Sequence, residues 1–460
     1  MTMHDSPRVL ISGAGIAGLA LALQLTRHGV PTTVVERAQA PRPGGQAVDL
    51  RGASREVAER MGLMAGIEPR RLHEKGLAYV DGRGRVFGRM SMESFDGNGA
   101  VAEIEIARGD LAEVLRGELT AAAAAAPGLL DLRFGDRIIA LADADADADA
   151  DAHDGADAHA DADANANANA NAADADADAH ADAAHGVDVT FEHGAPARFG
   201  VVVGADGVHS ATRRLAFGPE EEFVTGLGGY AAFFTMPTPA DIEPGWFAMR
   251  FVPGATLGIR PDLDPATAKA MLTLRVDRDP ALRGDRARQQ ALISGLLRDA
   301  GWHAPEVIAA MDAASDFYFD ELLRVDMPSV VKGRVVLLGD AASCGSPMTG
   351  MGTATALIGA YLLAERITGS EGNVAAALRA YDADIAPFAE IGKKIPGGGI
   401  ARMVPASRAA AAMSRAMTGL MLSRPLRPLV RRMFAAGAEG PALPVGLTAD
   451  VAAGDVRVAR

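Results

Sequence analysis

Three short segments carry residue types and spacings that could do chemistry. In each, an apolar run enters a glycine-rich turn, and an acid stands in or after that turn. The first reads Val9-Leu10-Ile11-Ser12-Gly13-Ala14-Gly15-Ile16-Ala17-Gly18, continues through the helical Leu19 to His28, and resumes as Thr32 to Val35 with Glu36 and Arg37 at its end. Strand, turn, helix, strand and acid in this register form a complete dinucleotide-binding βαβ unit. Gly13 permits the tight turn, Gly15 lets the backbone approach a pyrophosphate at the helix N-terminus, and Gly18 allows close helix–strand packing. Glu36 is placed to accept from ribose hydroxyls. This unit alone leaves flavin and nicotinamide dinucleotides both open.

The second segment, Val201-Val202-Val203-Gly204-Ala205-Asp206-Gly207-Val208-His209-Ser210, favours a flavin, although Asp, Gly and Ser also suit a plain turn with a helix cap. The third, Gly333 to Ala342, delivers Asp340 to a loop that holds Pro347, Met348 and Thr349 and the pair Gly350 and Gly352; a helix is predicted from Thr353 to Ile367. Unpaired N–H groups at such a helix start would favour an anionic reduced flavin ring. Each segment singly could be an ordinary loop. Three of them in order argue against that.

On these motifs the chain resembles the class A flavoprotein monooxygenases, the family of para-hydroxybenzoate hydroxylase and the tetracycline-inactivating monooxygenases. The resemblance implies an α/β fold, in which a Rossmann-like FAD-binding domain carries an inserted sheet-containing substrate domain and a C-terminal helical region. It implies FAD held by Gly13, Gly15, Ala17, Gly18, Glu36, Arg37, Asp206, Gly207, Gly339, Asp340, Pro347, Gly350, Gly352 and Thr353, with Asp340 on the ribityl chain. Arg108, before Gly109-Asp110-Leu111, matches an arginine that begins a helix and reaches the flavin; Arg42 and Asp49 match a loop near the flavin and the nicotinamide route. The implied reaction takes electrons from NADPH or NADH as a transient co-substrate and hydroxylates an aromatic or polyketide-like small molecule with O2. Ser343 and Ala354 depart from the family, where His and Asn are common. No metal is implied, and no residue is assigned as a general base; His73, His209 and His303 are candidates by type only.

The elements that must position these residues divide unevenly along the chain. Residues 1–75, 100–222 and 327–369 read as the FAD-binding domain, 76–99 and 223–326 as the substrate domain, and 370–460 as helical. Residues 142–184 are a low-complexity Ala/Asp and Ala/Asn repeat between two strands of a predicted hairpin; Asp and Asn are poor strand formers and the like charges repel, so disorder is expected. Phe233, Met249, Pro347, Met348 and Thr349 are candidate substrate contacts, and Phe234, Met236, Trp246, Phe251, Phe317 and Phe319 are further candidate walls. Alternating aromatics on strands serve equally as core.

Charge and composition exclude several other classes. The net charge is −14, and thirteen aspartates with no Lys or Arg lie within the repeat, so the rest of the chain is nearly neutral and offers no basic footprint for nucleic acid. No uninterrupted apolar run approaches the roughly 18 residues of a membrane span. The single cysteine, Cys344, forms no internal disulfide, and the N-terminus shows no export leader, which together point to the cytoplasm. Two other readings stay open: a nicotinamide-dependent dehydrogenase, which leaves the Asp340 segment idle, and a non-hydroxylating flavoprotein that sequesters an aromatic ligand. A flavin halogenase lacks support, because no Trp-x-Trp motif occurs.

Overall fold

The computed structural model describes residues 7–41, 44–91, 104–143, 186–395, 398–426, 428 and 441–444. At its centre a six-stranded sheet runs in the order Val331–Lys332, Val335–Leu337, Val201–Gly204, Val9–Ser12, Thr32–Glu36, Leu130–Phe134. All neighbours are parallel except the first pair. The strands are short runs of Val, Leu and Ile because both faces are covered. Val9 and Ile11 pack under the helices Ile16–Arg27, Arg108–Ala125 and Gly352–Thr368, whereas Leu10 and Val202 pack on a three-stranded sheet with Phe191 and Phe199. Parallel strands end at one edge, so the three glycine-rich turns emerge side by side. This is the α/β architecture expected from the sequence.

The eight-stranded sheet has the order Ser343–Cys344, Tyr318–Asp326, Val224–Pro237, Thr267–Leu274, Ala255–Pro261, Trp246–Val252, Gly76–Val80, Val86–Ser91. It is antiparallel apart from Trp246–Val252 beside Gly76–Val80. Alternation along its strands separates two faces. Tyr230, Ala232, Phe234 and Met236 join Phe317 and Phe319 beneath the helices Arg286–Leu297 and Ala304–Ala313. Phe234, Met236, Phe317 and Phe319 are therefore core of the helix-covered face and not pocket walls. Ala231 and Phe233 point the other way, toward Ile400, Val404 and Met348.

A further two-stranded ladder, Ala47–Leu50 with Ile104–Ala107, sets Asp49 directly opposite Glu105. The C-terminal helices Val374–Gly392 and Arg408–Met421 diverge in their packing: Leu378, Tyr381 and Ile385 of the first complete the core around Gly352–Thr368, and the second lies along Trp246–Val252 and Val86–Ser91. Most of the basic segment Arg424 to Phe434 lies outside the described residues.

The repeat lies outside them too, apart from its first two residues. Ala142 and Asp143 belong to the strand Ile138–Asp143, and Asp143 pairs with Val187 of the returning strand. The two strand ends are thus adjacent, at the spacing a two-residue turn can close. Replacing residues 144–186 by Asn-Gly should leave the melting temperature within a few degrees of the parent and bound flavin unchanged, read by thermal denaturation and flavin absorbance. A folded deletion variant without flavin would show that the repeat serves the site.

Candidate functional site

The three turns touch. Gly13, at φ +108°, lies where a Cβ would stand 2.4 Å from the carbonyl oxygen of Ala205, and a Cβ on Gly339, at φ +64°, would stand 2.9 Å from the Ala17 methyl carbon. Ala205 donates its N–H to Ser12 and Leu338 donates to Gly204, so the backbone itself ties the first turn to the second and the second to the third. Gly18 packs onto the Gly13 carbonyl in the same way. At Gly15, by contrast, an added Cβ would meet only the Arg108 guanidinium at 3.7 Å; this glycine faces open space.

Two helix starts face this cleft without a side-chain cap, at Gly15 for Ile16–Arg27 and at Met351 for Gly352–Thr368. Their free N–H groups and partial positive charge suit a pyrophosphate at the first and an anionic reduced flavin ring at the second. Glu36 is oriented by accepting from Ala14 N at 3.0 Å and Ala38 N at 2.9 Å, which leaves its remaining lone pairs for a ribose. Arg37 is exposed beside it, and Arg42 lies outside the described residues. Asp340 opens on the cleft beside Gly352, whose Cβ would sit 3.4 Å from its Oδ1. Desolvation raises the Asp340 pKa, and Arg108 opposes the rise. Thr353 stands in the first turn of the same helix. The residues present fit FAD: a glycine-lined track for the phosphates, an acid at each hydroxyl-bearing end, and uncapped amides where the ring would lie.

Asp206 is occupied differently. Its carboxylate accepts from Ser210 Oγ, from Ala211 N at 2.9 Å and from Thr212 N at 3.0 Å, which makes it the anchor of the helix Ala211–Ala216. Gly207 continues that turn. His209 bridges this segment to the eight-stranded sheet: Nε2 lies 3.1 Å from Asp320 and Nδ1 3.2 Å from Glu220. Asp320 raises the imidazole pKa against the opposing effect of burial. Tyr318 donates to Asp320 at 3.2 Å and stacks on Phe233 with ring centroids 5.8 Å apart. Tyr318 and Asp320 were not legible as site residues, because their strand reads as an ordinary alternating one.

Pro347, Met348 and Thr349 form a single tight turn between Ser346 and Gly350, and Met348 packs against the Phe233 cluster. Met249 is not in that company; it packs with Leu77, Met90, Phe247 and Leu422, three strands from Phe233. Trp246 lies under the Arg89 guanidinium and Phe251 on Tyr79. His73 is exposed, and His303 precedes the helix Ala304–Ala313 and pairs with Asp241 at 2.8 Å.

Beneath the cleft lies a buried charged group that the sequence pattern concealed. Arg260 is paired with Glu74 and Glu105, which hold it protonated despite its burial. Glu105 shares a hydrogen bond with Asp49, whose carboxyl is pushed up to about 6, first by burial and then by the Glu105 charge. Asp49 in turn sits 4.0 Å from where a Cβ of Gly350 would be, at the lip of the third turn. Among the described residues no His, Cys, Asp and Glu group could hold a metal ion, and no helix is long and apolar enough to cross a membrane.

The family described as FAD binding domain matches residues 7–391. An uncharacterized protein of Mycobacterium tuberculosis is 35% identical over 400 residues, which cover 85% of this chain and 94% of that protein. A flavin-dependent monooxygenase of Legionella longbeachae is 30% identical over 393 residues, covering 85% and 88%. Among solved structures, the tetracycline destructase Tet(51) aligns with a TM-score of 0.68 at 26% identity, covering 95% of this chain and 99% of its own. The chain belongs to the FAD binding domain family, and it is an FAD-dependent monooxygenase.

The Asp49 shift has a measurable sign. A carboxyl that titrates near 6 in the fold, against an ordinary 3.8, favours folding in its protonated form. That contribution is complete below pH about 4 and is lost as pH rises through about 6. Asp49→Asn keeps the uncharged form, so the flavin-free variant should match the parent near pH 4 and exceed it at pH 8 by about 1–3 kcal/mol. Thermal melts across that range check this, and a pH-independent difference would contradict it.

Proposed function

We propose that this FAD-dependent monooxygenase hydroxylates a small aromatic or polyketide-like molecule held between the turn Pro347–Thr349 and the open face of the eight-stranded sheet. The observation that carries the reading is the stacked pair Phe233 and Tyr318, on the sheet face that meets Met348 and in electrostatic reach of Asp340 and Arg108. A stacked aromatic wall takes a flat ring and keeps water from it. Next to it on the same face, Thr235 donates to Asp316 and accepts from Lys269 Nζ at 2.6 Å, which provides polar groups for an oxygenated substrate. Similarity to a tetracycline destructase supports a polyketide-like molecule.

In this reading the amides of Gly15 and Ala17 carry the pyrophosphate, while Gly13, whose own amide donates to Val35, and Gly18 let the turn and helix close up beneath it; Glu36 and Arg37 hold the adenosine end, and Asp340 the ribityl hydroxyls. Gly352 and Thr353 offer their amides to the flavin ring, Gly350, whose amide closes the turn onto Pro347, leads the chain into that helix, and Arg108 and Asp49 border it. Bound FAD supplies the redox chemistry: it takes electrons from NADPH or NADH and lets one oxygen atom of O2 reach an electron-rich carbon. NAD(P)H docks transiently, since only one complete βαβ dinucleotide unit occurs in the chain. The protein's own part is to position substrate against the Pro347–Thr349 turn and to exclude water.

Two measurements follow. Asp340→Ala removes a charge-assisted acceptor and should weaken FAD retention about tenfold to a hundredfold. Asp206→Ala should instead lower stability by about 1–2 kcal/mol through loss of the helix anchor, with little change of turnover at saturating flavin. Flavin titration and thermal melts separate the two, and equal FAD affinity in the parent and Asp340→Ala would remove that assignment. Under ¹⁸O2 the hydroxylated product should carry the isotope, while poorly fitting aromatics should stimulate NAD(P)H consumption and release hydrogen peroxide. Label arriving from H2¹⁸O would point to hydration or hydrolysis; aromatic ligands that bind without stimulating oxidation would favour a sequestering protein.

A further inference from the structure

A cavity of about 520 Å³ opens at the end of the eight-stranded sheet remote from the glycine-rich turns. Phe247, beneath Arg260, marks the flavin-proximal end of the strand Trp246–Val252. Val252 lines the cavity five residues further on, roughly 16 Å away along an extended strand. The floor is Phe251 and Val252, one wall is Leu296 near the end of the helix Arg286–Leu297, and the opposite wall is the helix Arg408–Met421 with Ala411 and Ala412.

Two guanidinium groups enter this space. Arg250 rests on Gly82, where a Cβ would lie 2.9 Å from its Nη2, and its Nε is buried without a hydrogen-bond partner among the described residues. Arg415 comes from the helix opposite and has no ion-pair partner among the described residues. Burial lowers the Arg250 pKa; Asp81 acts against that, and the positive charge of Arg415 adds to it. Asp81 is already committed, since it accepts from Arg83 N and Arg85 N and pairs with the Arg85 side chain at 2.8 Å. Arg408 faces Asp299 at 3.7 Å at the rim. Inside, Arg250 keeps a desolvated Nε without an acceptor among the described residues, and the like charge of the exposed Arg415 lies at the mouth, an unfavourable arrangement that an entering anion would relieve. A planar arginine fork matches a carboxylate or similar oxyanion, and the apolar floor and alanine wall match an organic body attached to it. The volume falls in the ordinary range for small-molecule sites.

We propose that this cavity is a second ligand site, separate from the flavin cleft, for a small organic anion with a flat apolar body, of which an aromatic carboxylate is the simplest case. The test is calorimetric titration of 2-naphthoate and its neutral analogue 2-naphthamide into the full-length FAD-loaded enzyme, comparing the parent with Arg250→Gln and with Arg415→Gln. Arg415 is exposed on its helix, so its replacement keeps the experiment readable should Arg250→Gln fold poorly. The expected result is naphthoate binding weakened about tenfold or more in each variant, with flavin content retained, and naphthamide binding at least about tenfold more weakly than naphthoate to the parent. Naphthoate affinity unchanged in both variants, equal binding of naphthamide, or no naphthoate binding to the parent would each overturn the proposal.

Discussion

Everything at the cofactor cleft depends on how closely three loops from distant parts of the chain approach one another. Gly13 against the Ala205 carbonyl and Gly339 against Ala17 leave no room for a Cβ, and the amides of Ala205 and Leu338 close onto the strands beside them. This contact is possible because the strands ending in these loops are neighbours in a parallel sheet and finish at the same edge. Such an edge is where open α/β sheets take their ligands. Once the loops are locked, the two uncapped helix starts and the carboxylates of Glu36 and Asp340 follow, because each is attached to one of those loops or to the strand next to it.

The eight-stranded sheet is governed by a different rule, the two-residue alternation of a strand. It sends Phe234 and Met236 into the helix-covered core and turns Phe233 toward Met348. The same alternation sets Arg260, Lys269 and Thr235 in one row across three strands. The charges of Arg260 and Lys269 are tolerable away from water only because each finds a partner, Arg260 in Glu74 and Glu105 and Lys269 in Asp262 and Asp316. His209 then joins the second loop to this sheet through Asp320, so the six-stranded and eight-stranded parts of the fold are tied together at the cleft.

Local chemistry explains what could be read from residues alone. Glycine spacing, an acid after a strand and a helix start are short-range features, so the three turns and the α/β class are legible in the amino-acid sequence itself. Which face an aromatic occupies is decided by a neighbouring strand far away in sequence, and Phe317 and Phe319 look no different from Phe233 without it. The Asp206 turn shows the limit at short range: an Asp-Gly-x-x-Ser pattern suits both a cofactor loop and a helix anchor, and the carboxylate is seen anchoring the helix. The Glu74–Arg260–Glu105 group joins three separate segments and leaves no periodic trace at all.

In the proposed reading one FAD molecule reaches from the first turn to the third. Hydrogen exchange of the flavin-free chain, measured before and after FAD is added, tests this directly by reporting backbone amides in each turn separately. Protection should rise together at residues 13–18 and at 339–353, with the same dependence on FAD concentration. Protection confined to the first turn, with the Asp340 loop exchanging as before, would contradict it and leave a simple dinucleotide site in its place.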